Sequence, residues 1–574
     1  MRIWWVIALL LGLPLAGAAQ ATPDQTVIRA GTHIVLVNVV AKDKHGKPVA
    51  DLTRDDFVLR DNGQEQKIGL FALEEAGETA TAVGSSLGRL TFTNRPAVRT
   101  AAVSAFLFDE LNTKLTDQEF AKKAFLRYLR ELPADSRVAV FVLGDSLALL
   151  HDFSEDMASL VAAIEKHKNR VNSEVDAATA PPASSNSLTG DQKTTAQWDS
   201  FLQSSSQPYV DYAETVRATR TAAALETIAG HLEGIGGRKT LIWISGGFPI
   251  QLGLHNSVDS IPQGNANARQ GGGAGRQGGG KGGGKGGGRS GGGSSNSVGS
   301  NSSTAALATT ELPGTGLSFE SGVARAIRAL NEADVAVYPV DARGVTVAAA
   351  FQADRSSIGK RSQPAKAFLG PDFNYETLET LAGETGGQAF HHINDLSAAI
   401  REAAGDARVS YSLAFSPPSG SLDDSYHRLE VTVKRPDVKL RYRPGYVAAR
   451  DGAVAPSLAE AIANPVAMAG IGFTVHLDPV DGGYKASVTI DARDITLEPK
   501  DGKWIGSLQF LVVVGKVEQL TTIPLSFSEA MFHQIQDNGL VLGARVKTQP
   551  GTTGFSMGFR DIPSGTVGTL HVPL

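Results

Sequence analysis

A chain of 574 residues with 42% apolar and 20% charged side chains has ordinary globular composition, which excludes collagen, coiled coil and wholesale disorder. Its formal charge of −5 is close to balance, so no global field draws it to nucleic acid or anionic lipid. The absence of cysteine removes disulfides, thiolate nucleophiles, zinc ribbons and iron–sulfur clusters together. At roughly 150 residues per domain the length suggests three or four domains, but 17 of the 63 glycines fall in residues 271–300, which leaves two or three.

The chain begins MRIWWVIALLLGLPLAGAAQA, a basic start, a short apolar run and an A-x-A exit. That pattern predicts a signal peptide over residues 1–21, cleaved after Ala21, and an exported protein, periplasmic or secreted. No later run reaches the roughly 18 apolar residues of a spanning helix, so no transmembrane helix is expected in the mature chain. Residues 27–78 alternate apolar and polar, with Asn62-Gly63 marking a hairpin turn, and are expected to form a small β module.

Beyond a polar linker the pattern changes to buried strands alternating with helices. The apolar run 103–108 leads to a helix opened by a Thr116/Glu119 capping box, with Phe120, Ala121, Ala124, Phe125, Tyr128 and Leu129 on its inner side. Further strands are expected at 138–143, 241–244, 335–340 and 388–391. Helices are expected around Leu160, around Leu225 to Leu232, around Val323 to Leu330 and at 375–381. Continuous β-branched runs separated by helices predict a doubly wound α/β domain with a mostly parallel sheet, spanning residues 97–449. Two insertions, 171–207 and 264–303, are expected to be flexible; the second is dominated by glycine with five Lys or Arg and no acid. Residues 408–449 form a terminal β extension, and 457–574 a separate β-sandwich-like domain.

Ligands of open parallel sheets bind at the carboxyl ends of the strands, which here carry Asp109-Glu110-Leu111-Asn112-Thr113, Asp145, Ser245-Gly246-Gly247 and Asp341. No glycine follows the first strand, so a dinucleotide cradle is absent, and every Lys of GGGKGGGKGGG precedes Gly, which excludes a Walker loop. The one G-x-S-x-G, residues 84–88, lies in the linker rather than on a strand-to-helix turn. His391-His392, read as strand residues, point to opposite faces and cannot share a metal. The glycine-rich segment lacks interleaved aromatics, so no nucleic-acid partner is expected.

The β segment V-x-V-x-x-x-D-K-x-G-K-P-V-x-D-L-T (from Val37), FLFDELNT, TLIWISGG, VYPVDARG and the tail HRLEVTVKRPDVKLRYRPGYVA together resemble the von Willebrand factor A related domain family of exported acidobacterial proteins, over residues 27–449. The resemblance implies a Rossmann-like von Willebrand A domain and a protein-binding or adhesion module rather than an enzyme. In that family a metal-ion-dependent adhesion site uses Asp-x-Ser-x-Ser, a later Thr and a later Asp. Asp109 and Thr113 match the ends of the first motif, Leu111 replaces its middle serine, Thr221 or Thr219 supplies the threonine, and Ser245 stands at the late Asp position. The implied site is degenerate by two ligands, with partner contacts from Asp109, Asn112, Thr113, Thr221 and Ser245. Any ion would be weakly held Mg²⁺ or Mn²⁺ on Asp109, Thr113 and Thr221; otherwise no cofactor is expected. The expected partner is an unidentified protein in the envelope or outside the cell. The competing reading is a structural scaffold of the envelope in which the β modules make the contacts.

Overall fold

The computed structural model describes residues 34–75, 90–95, 103–132, 136–154, 156–170, 192–247, 319–343, 375–417, 425–448, 457–549 and 551–574. The expected signal segment, the G-x-S-x-G copy, residues 171–191 and the glycine-rich segment 264–303 lie outside the described residues.

The amino-terminal strands are β1 (Val35–Lys42), β2 (Phe57–Asp61), β3 (Gln64–Gln66) and β4 (Leu70–Glu75), followed by a short β5 (Thr91–Thr93). Asn62 and Gly63 join β2 to β3 with φ of 48° and 80°, the two positive values a tight hairpin turn needs. The α/β part then runs β6 (Val103–Asp109), α1 (Leu115–Leu129), β7 (Arg137–Leu143), β8 (Leu147–Ser154), α2 (Met157–Lys166), α3 (Gln192–Leu232), β9 (Lys239–Ser245), α4 (Phe319–Glu332), β10 (Val335–Asp341), α5 (Tyr375–Glu384) and α6 (Leu396–Gly405). Its sheet has the order β10-β9-β6-β7-β8, parallel except for the edge strand β8.

Every residue of β9 and β10 is buried, as expected of central strands covered on both faces. On one face Phe106, Val140, Ile242 and Tyr338 pack with Phe125 and Tyr128 of α1 and Ile400 of α6. Phe106 and Phe125 meet with ring centroids 4.4 Å apart, and burying each such ring contributes about 2 to 3 kcal/mol. On the other face Phe141 of β7 meets the His231 ring of α3 edge-on at 5.7 Å. The class is therefore α/β, with several further sheets beside the mostly parallel one.

Local details depart from the sequence reading in four places. Residues 192–207, expected in a flexible insertion, begin the 41-residue helix α3. Residues 147–154, to which the sequence reading assigns no element, form the antiparallel edge strand β8. Helix α1 starts at Leu115 with Lys114 as its cap and no side-chain cap bond, so the Thr116/Glu119 box does not form, and Phe120 is exposed. The strand expected at 388–391 is a single bridge, Val340 to Phe390.

Strand pairing links distant parts of the chain. Beyond α6 come β11 (Val409–Phe415), β12 (Tyr426–Val433), β13 (Lys439–Arg441) and β14 (Gly445–Val447). They interleave with the first four strands as two sheets, β13-β1-β11-β4 and β14-β12-β2-β3. Val37, Val39, Leu59, Tyr411, Leu413 and Val431 share their core, so the amino-terminal segment and the 408–449 extension fold as one sandwich.

The carboxy-terminal part contains α7 (Leu458–Ala463), β15 (Phe473–Val480), β16 (Gly483–Ile490), β17 (Glu498–Lys500), β18 (Lys503–Val514), β19 (Val517–Phe527), α8 (Glu529–Asn538), β20 (Leu540–Lys547), β21 (Gly554–Asp561) and β22 (Val567–Pro573). One sheet is β20-β16-β15-β5; the other is β17-β18-β21-β22, with β19 on β18. Strand β5 thus reaches in from ahead of the α/β part to pair with β15. Among the described residues no helix is long and apolar enough to cross a membrane.

The segment entering this second sandwich lies along α3. The amide of Ala469 donates to the Gly230 carbonyl at 2.9 Å, and Asn464 Nδ2 donates to Thr227 Oγ1 at 2.6 Å. A Cβ at Gly234 would stand 2.5 Å from the Ala469 carbonyl oxygen, so glycine there is what permits this approach. His231 is buried, with Nδ1 2.7 Å from the Ala467 carbonyl and Nε2 3.3 Å from Asp152. Burial opposes the imidazolium, but the Asp152 carboxylate and the Ala467 carbonyl outweigh it and raise the pKa. A raised folded pKa means that the stabilisation is complete below the unfolded value of about 6.5 and is lost as pH rises through the folded one. Because Asp152 is half exposed, the effect should be modest, about 1 kcal/mol. Melting curves should show this loss towards alkaline pH in the wild type and its absence in His231→Gln.

Candidate functional site

Strand β6 delivers Asp109 to the carboxyl edge of the sheet, between β7 and β9, and the chain then turns through Glu110–Lys114 into α1. Leu111, where an adhesion motif carries serine, is buried and ties the turn to β7 through its amide on the Leu143 carbonyl at 2.9 Å. The turn therefore has an apolar anchor in place of a hydroxyl.

Asp109 is only 2% exposed, and both its oxygens face donors. Oδ1 accepts from the Asn112 amide nitrogen of the backbone at 3.0 Å and from Asn112 Nδ2 at 3.1 Å. Oδ2 accepts from Asn112 Nδ2 at 2.9 Å, Trp243 Nε1 at 3.1 Å and Ser245 Oγ at 2.8 Å. Burial pushes the Asp109 carboxyl above its ordinary range, while the hydrogen bonds from Asn112, Ser245 and Trp243 oppose that shift.

The same Asn112 Nδ2 also donates to Thr221 Oγ1 on α3 at 2.9 Å, and the Thr221 hydroxyl donates its own hydrogen bond to the Arg217 carbonyl. Thr113 Oγ1 accepts from the Gly246 amide at 2.7 Å. A Cβ at Gly246 would stand 2.7 Å from the Asn112 carbonyl, so this crossing of β9 over the β6 turn requires glycine. Asp109, Asn112, Thr113, Thr221 and Ser245 are all brought together. Thr219 is not; its hydroxyl donates to the Thr215 carbonyl within the helix. Asp145 is exposed beside Arg170, and Asp341 is buried with Arg343 and Tyr375.

Sequence reasoning missed the neighbouring pair of a buried glutamate and a half-buried histidine. Glu110 Oε1 lies 2.7 Å from His167 Nε2, and Gln118 Nε2 donates to the carbonyls of Glu110, Thr113 and Arg170. Burial raises the Glu110 pKa and His167 opposes the rise. With Phe108, Val142, Leu150 and Ile164 these side chains line a cavity of about 20 Å³, close to the room one water needs. No local signal joins Glu110 to a histidine 57 positions away.

His391 and His392 do not diverge as expected. His392 adopts a φ of 53°, and the two Nδ1 atoms stand 3.0 Å apart. Among the described residues no group of three or more His, Asp or Glu side chains is arranged to hold a metal ion.

No family model matches the chain, and no curated protein matches it. Among solved structures, an aerotolerance-related membrane protein from Bacteroides fragilis NCTC 9343, crystallised with multiple mutations to serines, is similar over 53% of this chain and 98% of that chain. The identity is 10% and the TM-score 0.22, a likeness too slight to carry an argument about function.

Proposed function

We propose that the chain is an exported, non-enzymatic protein-binding module built on a von Willebrand A-like domain whose strand-end site works without an ion. The observation that carries this reading is the position of Asn112 Nδ2, which bridges Asp109 and Thr221, the two side chains an adhesion-site cation would link. Mg²⁺ wants near-octahedral oxygen ligation, and here the only acid of the set is already satisfied by N–H and O–H donors. Leu111 supplies no hydroxyl, and Ser245 spends its own on Asp109. The residues present do not fit a divalent ion, so the buried turn 110–113 and the β9 end are read as a preorganised support that holds the exposed rim at Lys114 as the contact surface for a partner protein.

Affinity capture from the native envelope with the full chain tests this reading. The same partner should be recovered with and without chelator, and its recovery should fall when the exposed rim of the strand-end face is altered at Lys114→Glu. A partner lost on chelation would support an ion-dependent site instead.

A further inference from the structure

We propose that His391 and His392 form a binding site for an imidazole-preferring divalent ion, of the Zn²⁺, Ni²⁺ or Cu²⁺ class, separate from the Asp109 cluster. The site begins from how the chain is held beside β10. The Phe390 amide donates to the Pro339 carbonyl at 2.7 Å and the Asp341 amide to the Phe390 carbonyl at 2.8 Å, which pins residue 390 to the end of the sheet. An extended continuation would send the two following rings to opposite faces. Instead, His392 turns into the left-handed region at φ 53°, a costly conformation for a residue other than glycine, and its ring comes back onto that of His391. The rings meet edge to face, at an interplanar angle of 85°.

Helix α5 supports the pair from below. The Tyr375 ring lies 4.8 Å from the His391 ring and 4.9 Å from the His392 ring, and its hydroxyl is fixed on Asp341. One turn further along, Glu379 Oε1 stands 2.7 Å from His391 Nε2. A carboxylate only accepts, so neutral His391 carries its proton on Nε2 and presents the Nδ1 lone pair towards His392, which donates its Nδ1–H across the gap and binds an ion at Nδ1 only when that proton moves to its own Nε2. A carboxylate on the far nitrogen is the arrangement that orients metal-binding histidines and raises their basicity.

The spacing fits a shared ion. Two nitrogens bound at about 2.0 to 2.1 Å stand about 2.8 to 3.4 Å apart for angles between square and tetrahedral, and the observed gap is 3.0 Å. Imidazole selects Zn²⁺, Ni²⁺ and Cu²⁺ over Mg²⁺, and both rings are accessible, with His391 about a third exposed.

Calorimetric titration of the full chain with Zn²⁺ and with Ni²⁺ tests the proposal. We expect micromolar binding of one ion, weakened at least tenfold by His391→Ala and by His392→Ala, and about tenfold by Glu379→Gln. All three positions are partly or fully accessible, and unchanged melting temperatures will show that the fold is intact. Binding that survives His392→Ala unchanged, or no binding by the wild type, would overturn the site and leave a hydrogen-bonded ring pair. In Asp109→Ala, at a temperature where its melting curve shows a folded chain, this binding should be unaltered; loss in that folded variant would place the ion at the strand-end cluster and refute the assignment.

Discussion

Replacing Asn94 with alanine is expected to destabilise the carboxy-terminal sandwich by about 4 kcal/mol, more than most single changes in the chain. Asn94 follows β5 and is 3% exposed. Its Nδ2 donates to the carbonyls of Met468 and Ile471, each at 2.8 Å, and its Oδ1 accepts from the Phe473 amide at 2.8 Å. Alanine would leave three backbone groups without these partners at the point where the linker strand joins β15. The next residue, Arg95, is ion-paired with Asp491 and Asp494, so β5 is held from two sides. Denaturant unfolding followed by tryptophan fluorescence should report the change, because Trp504 lies in this sandwich. A fragment starting at Ser457 lacks β5 altogether, leaves the β15 edge unpaired and should aggregate or fail to fold. An Asn94→Ala loss below about 1 kcal/mol would show that β5 is dispensable.

The second large effect is expected at Asp109. Asp109→Asn preserves shape but offers an NH₂ group to a pocket whose Asn112, Trp243 and Ser245 neighbours all donate, so at least one donor loses its acceptor. We expect a loss of about 3 kcal/mol, read as a lower melting temperature. Asn112→Asp should behave differently. It sets a second carboxylate against Asp109 and Thr221, should lower stability at neutral pH, and should recover part of that loss in millimolar Mg²⁺, since it restores the charge an ion needs. Equal stability of Asp109→Asn and wild type would mean that the donors re-pair elsewhere and that Asp109 does not organise the turn.

The parallel sheet was legible because central strands covered on both faces read as unbroken apolar runs, as at 103–108 and 241–244. The strand-end residues were legible for the same reason, since locating the ends of the runs places Asp109, Thr113 and Ser245 on one edge. The Asn62-Gly63 hairpin was legible because its turn chemistry is local. What local pattern does not carry is partner choice between strands. Val35 faces Phe415 and Thr93 faces Thr474, and nothing in the alternation of either strand names a partner more than 370 positions away. Side-chain geometry set by one unusual backbone angle was equally hidden, as His392 shows. Asn112 was singled out by position alone; that its amide spans Asp109 and Thr221 follows from how α3 passes the β6 turn.

Titration of the full chain with Mg²⁺ and Mn²⁺, repeated on Asp109→Ala, tests the central claim most directly. With Asn112 Nδ2 spanning Asp109 and Thr221, neither ion should give a saturable micromolar signal at this site, and the two proteins should behave alike. Micromolar binding of one ion by the wild type, abolished by Asp109→Ala, would contradict the account and make the strand-end cluster a working metal site.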